Sequence, residues 1–379
     1  MKSKKVLFLT LHSFSLTGGI EKVSKIFAKT LDDLMASAEI QSYKVLSMYD
    51  DQADLAYVSS SSFKGYCGKK AAFGMAALKQ GLKADVVVLS HVHLLLFAKI
   101  IKKLKPAVRV ILFAHGIEIW HSLADWKKKM LKSTEIWSVS RYTATQIIRQ
   151  HGISGTQIKV LNNCLDPYFK IIEPALKPAT LLKKHGIKST QKVLLSICRL
   201  SSSEQYKGYD SVIGCMKQVL QHYPDLVYLL VGKADQTELA RINSLIIEAK
   251  LEKNIILTGF VPDEELNLYY QLADVFAMPS KAEGFGLVFI EAAAHGCSVI
   301  GGNADGSTDA LMDGKLGILV DPKNTSEIGK EVISALQKEK HDAKAIQKLC
   351  FETFGYTQYR KKVADLLFQH RPMNEKKYA

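Results

Sequence analysis

Short runs of β-branched and apolar residues alternate with longer amphipathic stretches along the whole chain, and the scheme is laid down twice. Brief apolar runs bounded by turn formers read as strands buried on both faces, whereas apolar spacing of three and four reads as helix. In the first half this predicts strands at Lys5–Leu11, Tyr43–Met48, Asp85–Leu89, Arg109–Phe113, Glu135–Val139 and Ile158–Leu161. Helices are predicted between them, among others over Ile20–Ala36, Gly68–Leu82 and Arg141–His151. The second half predicts strands at Lys192–Ile197, Leu226–Val231, Ile255–Leu257, Val275–Met278, Ser298–Ile300 and Ile318–Val320. Such alternation means parallel sheets covered by helices. The expected class is α/β, with two Rossmann-like doubly wound domains facing a cleft.

A chain of 379 residues is long for one domain, since a domain takes roughly 100–200 residues. Charge supports a division. Residues 1–180 carry 26 Lys and Arg against 13 Asp and Glu, and residues 181–379 carry 25 against 24. The expected partition is 1–180, 181–355 and a segment 356–379, whose helical stretch Tyr356–Phe368 returns to the first domain. The linker is expected over Asn162–Lys184, which holds Pro167, Pro174 and Pro178. Apolar residues make up 47%, enough for sizeable cores and too many for a disordered chain. Six scattered cysteines with no CxxC pair argue against a disulfide framework or a structural zinc site and fit a reducing compartment. The apolar run after Met1–Lys5 is too short for a signal-peptide core, and Val86–Ile101 is broken by His91, His93 and Lys99. A cytoplasmic protein without a membrane span is expected.

In open parallel sheets ligands bind beyond the carboxyl ends of the strands, so chemistry is sought in the loops that follow them. One such loop is Glu283-Gly284-Phe285-Gly286-Leu287-Val288-Phe289-Ile290-Glu291, after the strand Val275–Met278. Its glycines let backbone approach a ligand, and the helix it opens offers free N–H groups to a diphosphate. Glu283 in the loop and Glu291 about two turns on can accept hydrogen bonds from hydroxyls of one ligand. Cys198-Arg199-Leu200 and Tyr206-Lys207-Gly208 follow the strand Lys192–Ile197. An Arg fork and a Lys point charge there can balance a leaving diphosphate. Thr17-Gly18-Gly19-Ile20-Glu21 opens the first long helix; it is not a full GxGxxG, so a dinucleotide site is not supported. His115-Gly116 follows the strand Arg109–Phe113, where a His can exchange hydrogen bonds with a sugar hydroxyl. Taken singly, each pattern is more often an ordinary capped helix or a surface cation.

Together, and in this order, Gly18-Gly19, His115, Arg199, Lys207-Gly208 and Glu283 with Glu291 resemble glycosyltransferase family 4 over roughly residues 4–355. Gly259-Phe260-Val261, Ala273–Phe276, Pro279-Ser280 and Asp313-Gly314 with Leu319–Pro322 add to the likeness. Cys198 departs from the glycine usual before the Arg, and seven residues separate Arg199 from Lys207 where the family commonly has fewer. That longer form, with Asp305–Leu311, resembles a bacterial branch that includes exopolysaccharide mannosyltransferases.

The resemblance implies the GT-B fold and a retaining transfer of a hexose from a nucleoside-diphosphate sugar, GDP-mannose or a UDP-sugar. The acceptor it implies is a saccharide or a lipid-linked saccharide. By the same resemblance Arg199 and Lys207 hold the diphosphate, and Glu283 binds the donor sugar. Backbone N–H groups of Gly284, Phe285, Gly286 and Leu287 bind sugar and phosphate, and Glu291 takes the ribose. Backbone at Phe260 and Val261 meets the base, His115 contacts the donor near the reacting centre, and Gly18 and Gly19 let their loop close on the phosphates. No DxD sequence occurs, so no metal is expected; the resemblance implies no other cofactor and retention by front-face attack. The alternatives are another GT-B enzyme such as a sugar-nucleotide epimerase, or a basic nucleic-acid- or membrane-binding protein without catalysis. The basic clusters Lys64–Lys83, Lys99–Lys105 and Lys127–Lys132 flank few aromatics, which argues against nucleic acid. They suit an anionic membrane surface, and peripheral attachment to the inner face of the plasma membrane is expected.

Overall fold

The computed structural model describes residues 4–170, 177–337 and 341–368. Pro174 of the expected linker and residues 369–379 of the expected C-terminal segment lie outside the described residues. Thirteen strands occur among those described. They are β1 (Lys5–Thr10), β2 (Ser42–Ser47), β3 (Phe63–Gly65), β4 (Val86–Leu89), β5 (Arg109–Ala114), β6 (Glu135–Ser138) and β7 (Ile158–Val160). The second set is β8 (Val193–Ile197), β9 (Val227–Val231), β10 (Ile255–Gly259), β11 (Val275–Met278), β12 (Ser298–Gly302) and β13 (Ile318–Val320). The first sheet runs β3-β2-β1-β4-β5-β6-β7 and the second β10-β9-β8-β11-β12-β13. Every pairing resolved in register is parallel. All twelve predicted strands are present; β3, a three-residue edge strand, is an addition.

The chain forms two compact units. One comprises Met1–Leu112, Ser133–Glu135 and Tyr356–Ala379, and the other Phe113–Lys132 and Ile136–Gly355. In the first, Val6–Leu9 and Val86–Leu89 are almost wholly buried, as strands covered on both faces must be. Phe8 meets Phe27 of the helix Gly19–Ala36 edge to face, ring centres 4.8 Å apart. The helix Tyr356–Phe368 lies against that helix, and the Tyr356 hydroxyl donates to Asp33 at 2.6 Å.

In the second unit the side chains of each strand alternate between two cores. Val193, Leu195, Val227, Leu229, Phe276 and Met278 fill one. Leu194, Tyr228, Leu230, Val275 and Ala277 fill the other, under the helices Tyr209–Leu220 and Gln236–Ala249. Period-two alternation with both faces apolar therefore fixes the sheet between its helices, and leaves polar chemistry to the strand ends.

Candidate functional site

The carboxyl ends of β8 and β11 are neighbours because these strands pair, with Val275 opposite Leu194. β8 ends at Ile197, Cys198-Arg199 follow it, and the chain continues to a short 3-10 turn, Gln205–Lys207. β11 ends at Met278, Pro279 follows it, and the chain continues to Glu283-Gly284. Two contacts seat the turn on this second loop. The Lys281 amide donates to the Tyr206 carbonyl at 2.8 Å, and Gly208 packs so closely that a Cβ there would stand 2.1 Å from the Pro279 carbonyl oxygen.

The outcome is an ion pair between the Lys207 Nζ and Glu283 Oε1, two groups 76 residues apart. Burial pulls the Lys207 ammonium down, but the Glu283 carboxylate, with Tyr206 beside it, outweighs burial and holds it above the usual lysine range. Lys207 also lies over the Tyr206 ring, 5.2 Å from its centre. Burial pushes the Tyr206 hydroxyl and the Cys198 thiol up to about 12, so both stay protonated at neutral pH and Cys198 is no nucleophile. Arg199 is exposed, and its Nη1 donates to Glu204 at 3.0 Å. The structure thus joins Lys207 to Glu283 directly and leaves Arg199 at the rim with a carboxylate of its own.

The Glu283-Gly284 loop is held from below by Asp305, which is fully buried. Its Oδ2 accepts from the Ser280 Oγ and the Glu283 amide, both at 2.6 Å, and its Oδ1 from the Ser307 amide at 2.9 Å. The Gly306 amide donates to the Glu283 carbonyl at 2.8 Å. From the side, the loop after β5 closes on Gly284. A Cβ on Gly284 would lie 1.8 Å from the His115 carbonyl oxygen, so only glycine fits. His115 is half-buried, stacks on Phe113 with ring centres 5.9 Å apart, and its amide donates to Glu118 at 2.6 Å. Thr143 donates to the Gly284 carbonyl at 3.3 Å. His115, Lys207, Glu283 and Gly284 therefore gather at one place.

Gly286 precedes the helix Leu287–Ala294 with a φ of 87°, and Phe285 is buried against Phe354, so of Phe285 only the backbone is available to a ligand. Leu287 packs partly on the core. Glu291, on that helix, accepts from the Tyr270 hydroxyl at 2.9 Å. Val261 is buried, whereas Phe260 is 59% exposed just past β10. Gly18 and Gly19 stand at the start of the helix Gly19–Ala36, in the first unit. Asp305 holds this loop, and motif reasoning did not single it out. The only signal was its place in the Asp305–Leu311 segment, which carries no local pattern for a buried clamp.

Residues 179–349 match the family described as glycosyl transferases group 1. A GDP-mannose-dependent alpha-(1-6)-phosphatidylinositol monomannoside mannosyltransferase of Mycolicibacterium smegmatis is 26% identical over 234 residues, 59% of this chain and 59% of its own. The GDP-mannose-dependent monoacylated alpha-(1-6)-phosphatidylinositol monomannoside mannosyltransferase of Corynebacterium glutamicum is 25% identical over 348 residues, 88% of this chain and 89% of its own. The chain spans about three-fifths of the length of the mycobacterial relatives it matches. Among solved structures, Anabaena HepE in complex with UDP and glucose superposes with a TM-score of 0.74 at 19% identity, covering 96% of this chain and 99% of its own. The expected GT-B fold is the one observed.

Proposed function

We propose that the chain, whose residues 179–349 match the family described as glycosyl transferases group 1, is a retaining hexosyltransferase. Its donor is a nucleoside-diphosphate sugar, GDP-mannose or a UDP-sugar, and its acceptor a saccharide or lipid-linked saccharide of a surface polysaccharide or glycolipid. The observation that carries this reading is the Lys207–Glu283 pair set between the loops after β8 and β11. The pair places a cation and an acceptor carboxylate side by side, as a diphosphate joined to a hydroxyl-rich ring requires. Two relatives named as GDP-mannose-dependent support the mannose donor, and the UDP complex of HepE supports the uridine one.

In this reading Lys207 and, at the rim, Arg199 take up charge developing on the departing diphosphate. Lys207 is held in place by Glu283 before the reaction, and removal of one such contact costs about 10²–10³ in rate. Glu283, released from part of its bond to Lys207, accepts from the sugar's hydroxyls. N–H groups of Gly284–Leu287 meet sugar and phosphate, Glu291 the ribose, and the backbone at Phe260-Val261 the base. His115 stands over Gly284, next to the sugar. The two cations serve where other enzymes use a metal, so the reaction runs without metal or other cofactor. Among the described residues no helix is long and apolar enough to cross a membrane. The basic first 180 residues support a peripheral place on the inner face of the membrane, near an anionic acceptor.

A hydrolysis and transfer screen against UDP-, GDP- and ADP-sugars, with and without EDTA, tests the reading. One donor class should be turned over at the same rate in EDTA. Glu283→Gln, which keeps the side-chain shape, should lose transfer by about 10²-fold or more with an unchanged circular dichroism spectrum. Full activity of that variant overturns the site, and loss in EDTA overturns the metal-free reaction.

A further inference from the structure

A cavity of about 310 Å³ opens in the first unit at the edge of its sheet, where β2 and the edge strand β3 face the helix Lys70–Gly81. That volume lies at the lower end of the range of small-molecule sites, about 300–1,000 Å³. Lys44 and Lys64 enter the wall from the two strands and Lys79 from the last turn of the helix. Leu46 and Phe63 give it an apolar floor. Lys44 is the third residue of β2, and β3 begins opposite Val45. The cavity thus lies along the outer two strands of the sheet, whereas Gly18 and Gly19 follow the carboxyl end of β1.

None of the lining residues is acidic. Lys44 donates to the Ser61 carbonyl oxygen, and Lys64 lies over the Tyr66 ring at 5.5 Å. Among the described residues neither they nor Lys79 form an ion pair. Three like charges come to one cavity from three places in the sequence, and its wall holds no carboxylate to balance their charge. An anion with several oxygens would balance it, and ammonium groups on flexible stems adapt to a tetrahedral one. Leu46 and Phe63 offer an apolar surface to the body that carries it.

We propose that this cavity binds a phosphomonoester group borne on a larger body, at a site separate from the Lys207–Glu283 pair. The phosphate comes from a soluble phosphorylated metabolite or from a lipid headgroup, and two probes separate the sources. Full-length protein is titrated calorimetrically with inorganic phosphate against chloride at equal ionic strength. It is also floated with vesicles of phosphatidylcholine and phosphatidic acid in a four-to-one ratio. The variants are Lys64→Gln/Lys79→Gln and, as a control in the charge-neutral half of the chain, Lys323→Gln/Lys330→Gln. At least one probe should bind, about tenfold more weakly in the first pair, with little change in the control. Dependence with inorganic phosphate alone assigns the soluble source, dependence with vesicles alone the lipid, and dependence with both a site open to either. No binding of either probe, or equal losses in the two variants, overturns the proposal.

Discussion

Two buried aspartates do opposite things with pH. Asp305 receives three hydrogen bonds from the loop segments Ser280–Glu283 and Asp305–Ser307, yet burial dominates and pushes its carboxyl above the usual range. Asp50 is as buried, and burial pushes it the same way. There, however, donors from Ser13, Ser15 and Ser47 outweigh burial and hold the carboxyl below the usual range. A raised folded-state value means that stability from the group is full below its unfolded value and is lost as pH rises through the folded one. A lowered value means that stability is present above the unfolded value and lost as pH falls through the folded one. Asp305→Asn should therefore differ from the parent most at acid pH, and the gap should narrow toward neutrality. For Asp50→Asn the gap should widen from acid to neutral pH. Each variant also leaves a donor poorly matched, a loss of about 1–3 kcal/mol at its worst pH. Urea melts at pH 4 and pH 7 check the signs, and parallel trends in the two variants would contradict the assignment. The site itself was legible in part at this scale. Glu283, Lys207 and His115 stand out in sequence because each follows a strand. Their meeting does not, since it depends on β8 and β11 being neighbours and on the β5 loop reaching Gly284. Asp305 was hidden for the same reason: its Ser280 and Glu283 donors lie 25 and 22 residues away in the chain.

Elements were read well wherever local chemistry marks their ends. The helix Arg141–His151 begins where the Ser140 hydroxyl accepts from the Thr143 amide at 3.0 Å and ends at Gly152, whose φ is 61°. Both signals are visible in sequence, and the predicted bounds are the observed ones. β3 was not foreseen because three residues give no alternation to count, and it exists only through its pairing with β2. The turn Gln205–Lys207 is a further case, since its purpose lies in the loop it touches. Gly208 closes the turn with a φ of 86° and rests against Pro279. An alanine there meets backbone strain and a clash, so the turn must move away from the loop after β11 and take Lys207 from Glu283. Gly208→Ala should destabilise the chain by about 1–3 kcal/mol. It should also lower kcat about tenfold or more, while Gly314→Ala, with open space around its Cβ and a similar φ, lowers stability alone. Equal effects on kcat would show that the turn's position does not matter.

For the whole molecule, sequence order and compact units are different partitions. The charge step at residue 180 divides a basic half from a neutral one, whereas the first unit gathers Met1–Leu112, Ser133–Glu135 and Tyr356–Ala379. What joins these pieces is explicit. Arg109 donates to both oxygens of Glu135, at 2.8 and 3.0 Å, and to the carbonyls of Leu366 and Leu367, each at 2.7 Å. Arg360 donates to Glu39 at 2.6 Å, and Tyr359, Val363 and Leu367 are buried. Removal of the last helix therefore does more than shorten the chain. It uncovers those apolar faces, each worth about 1.5–3 kcal/mol when buried, and strips two of the acceptors from Arg109. Residues 1–180 by themselves lack the returning helix that these joints hold. Expressed alone, residues 1–180 should melt without a cooperative transition or at least about 10 °C below the full chain. Restoring 356–368 through a flexible linker, without residues 181–355, should recover part of that loss, and Arg109→Ala in the restored fragment should remove it again. A fragment 1–180 that melts cooperatively at the temperature of the full chain would mean that the returning helix is an accessory and not a part of the unit.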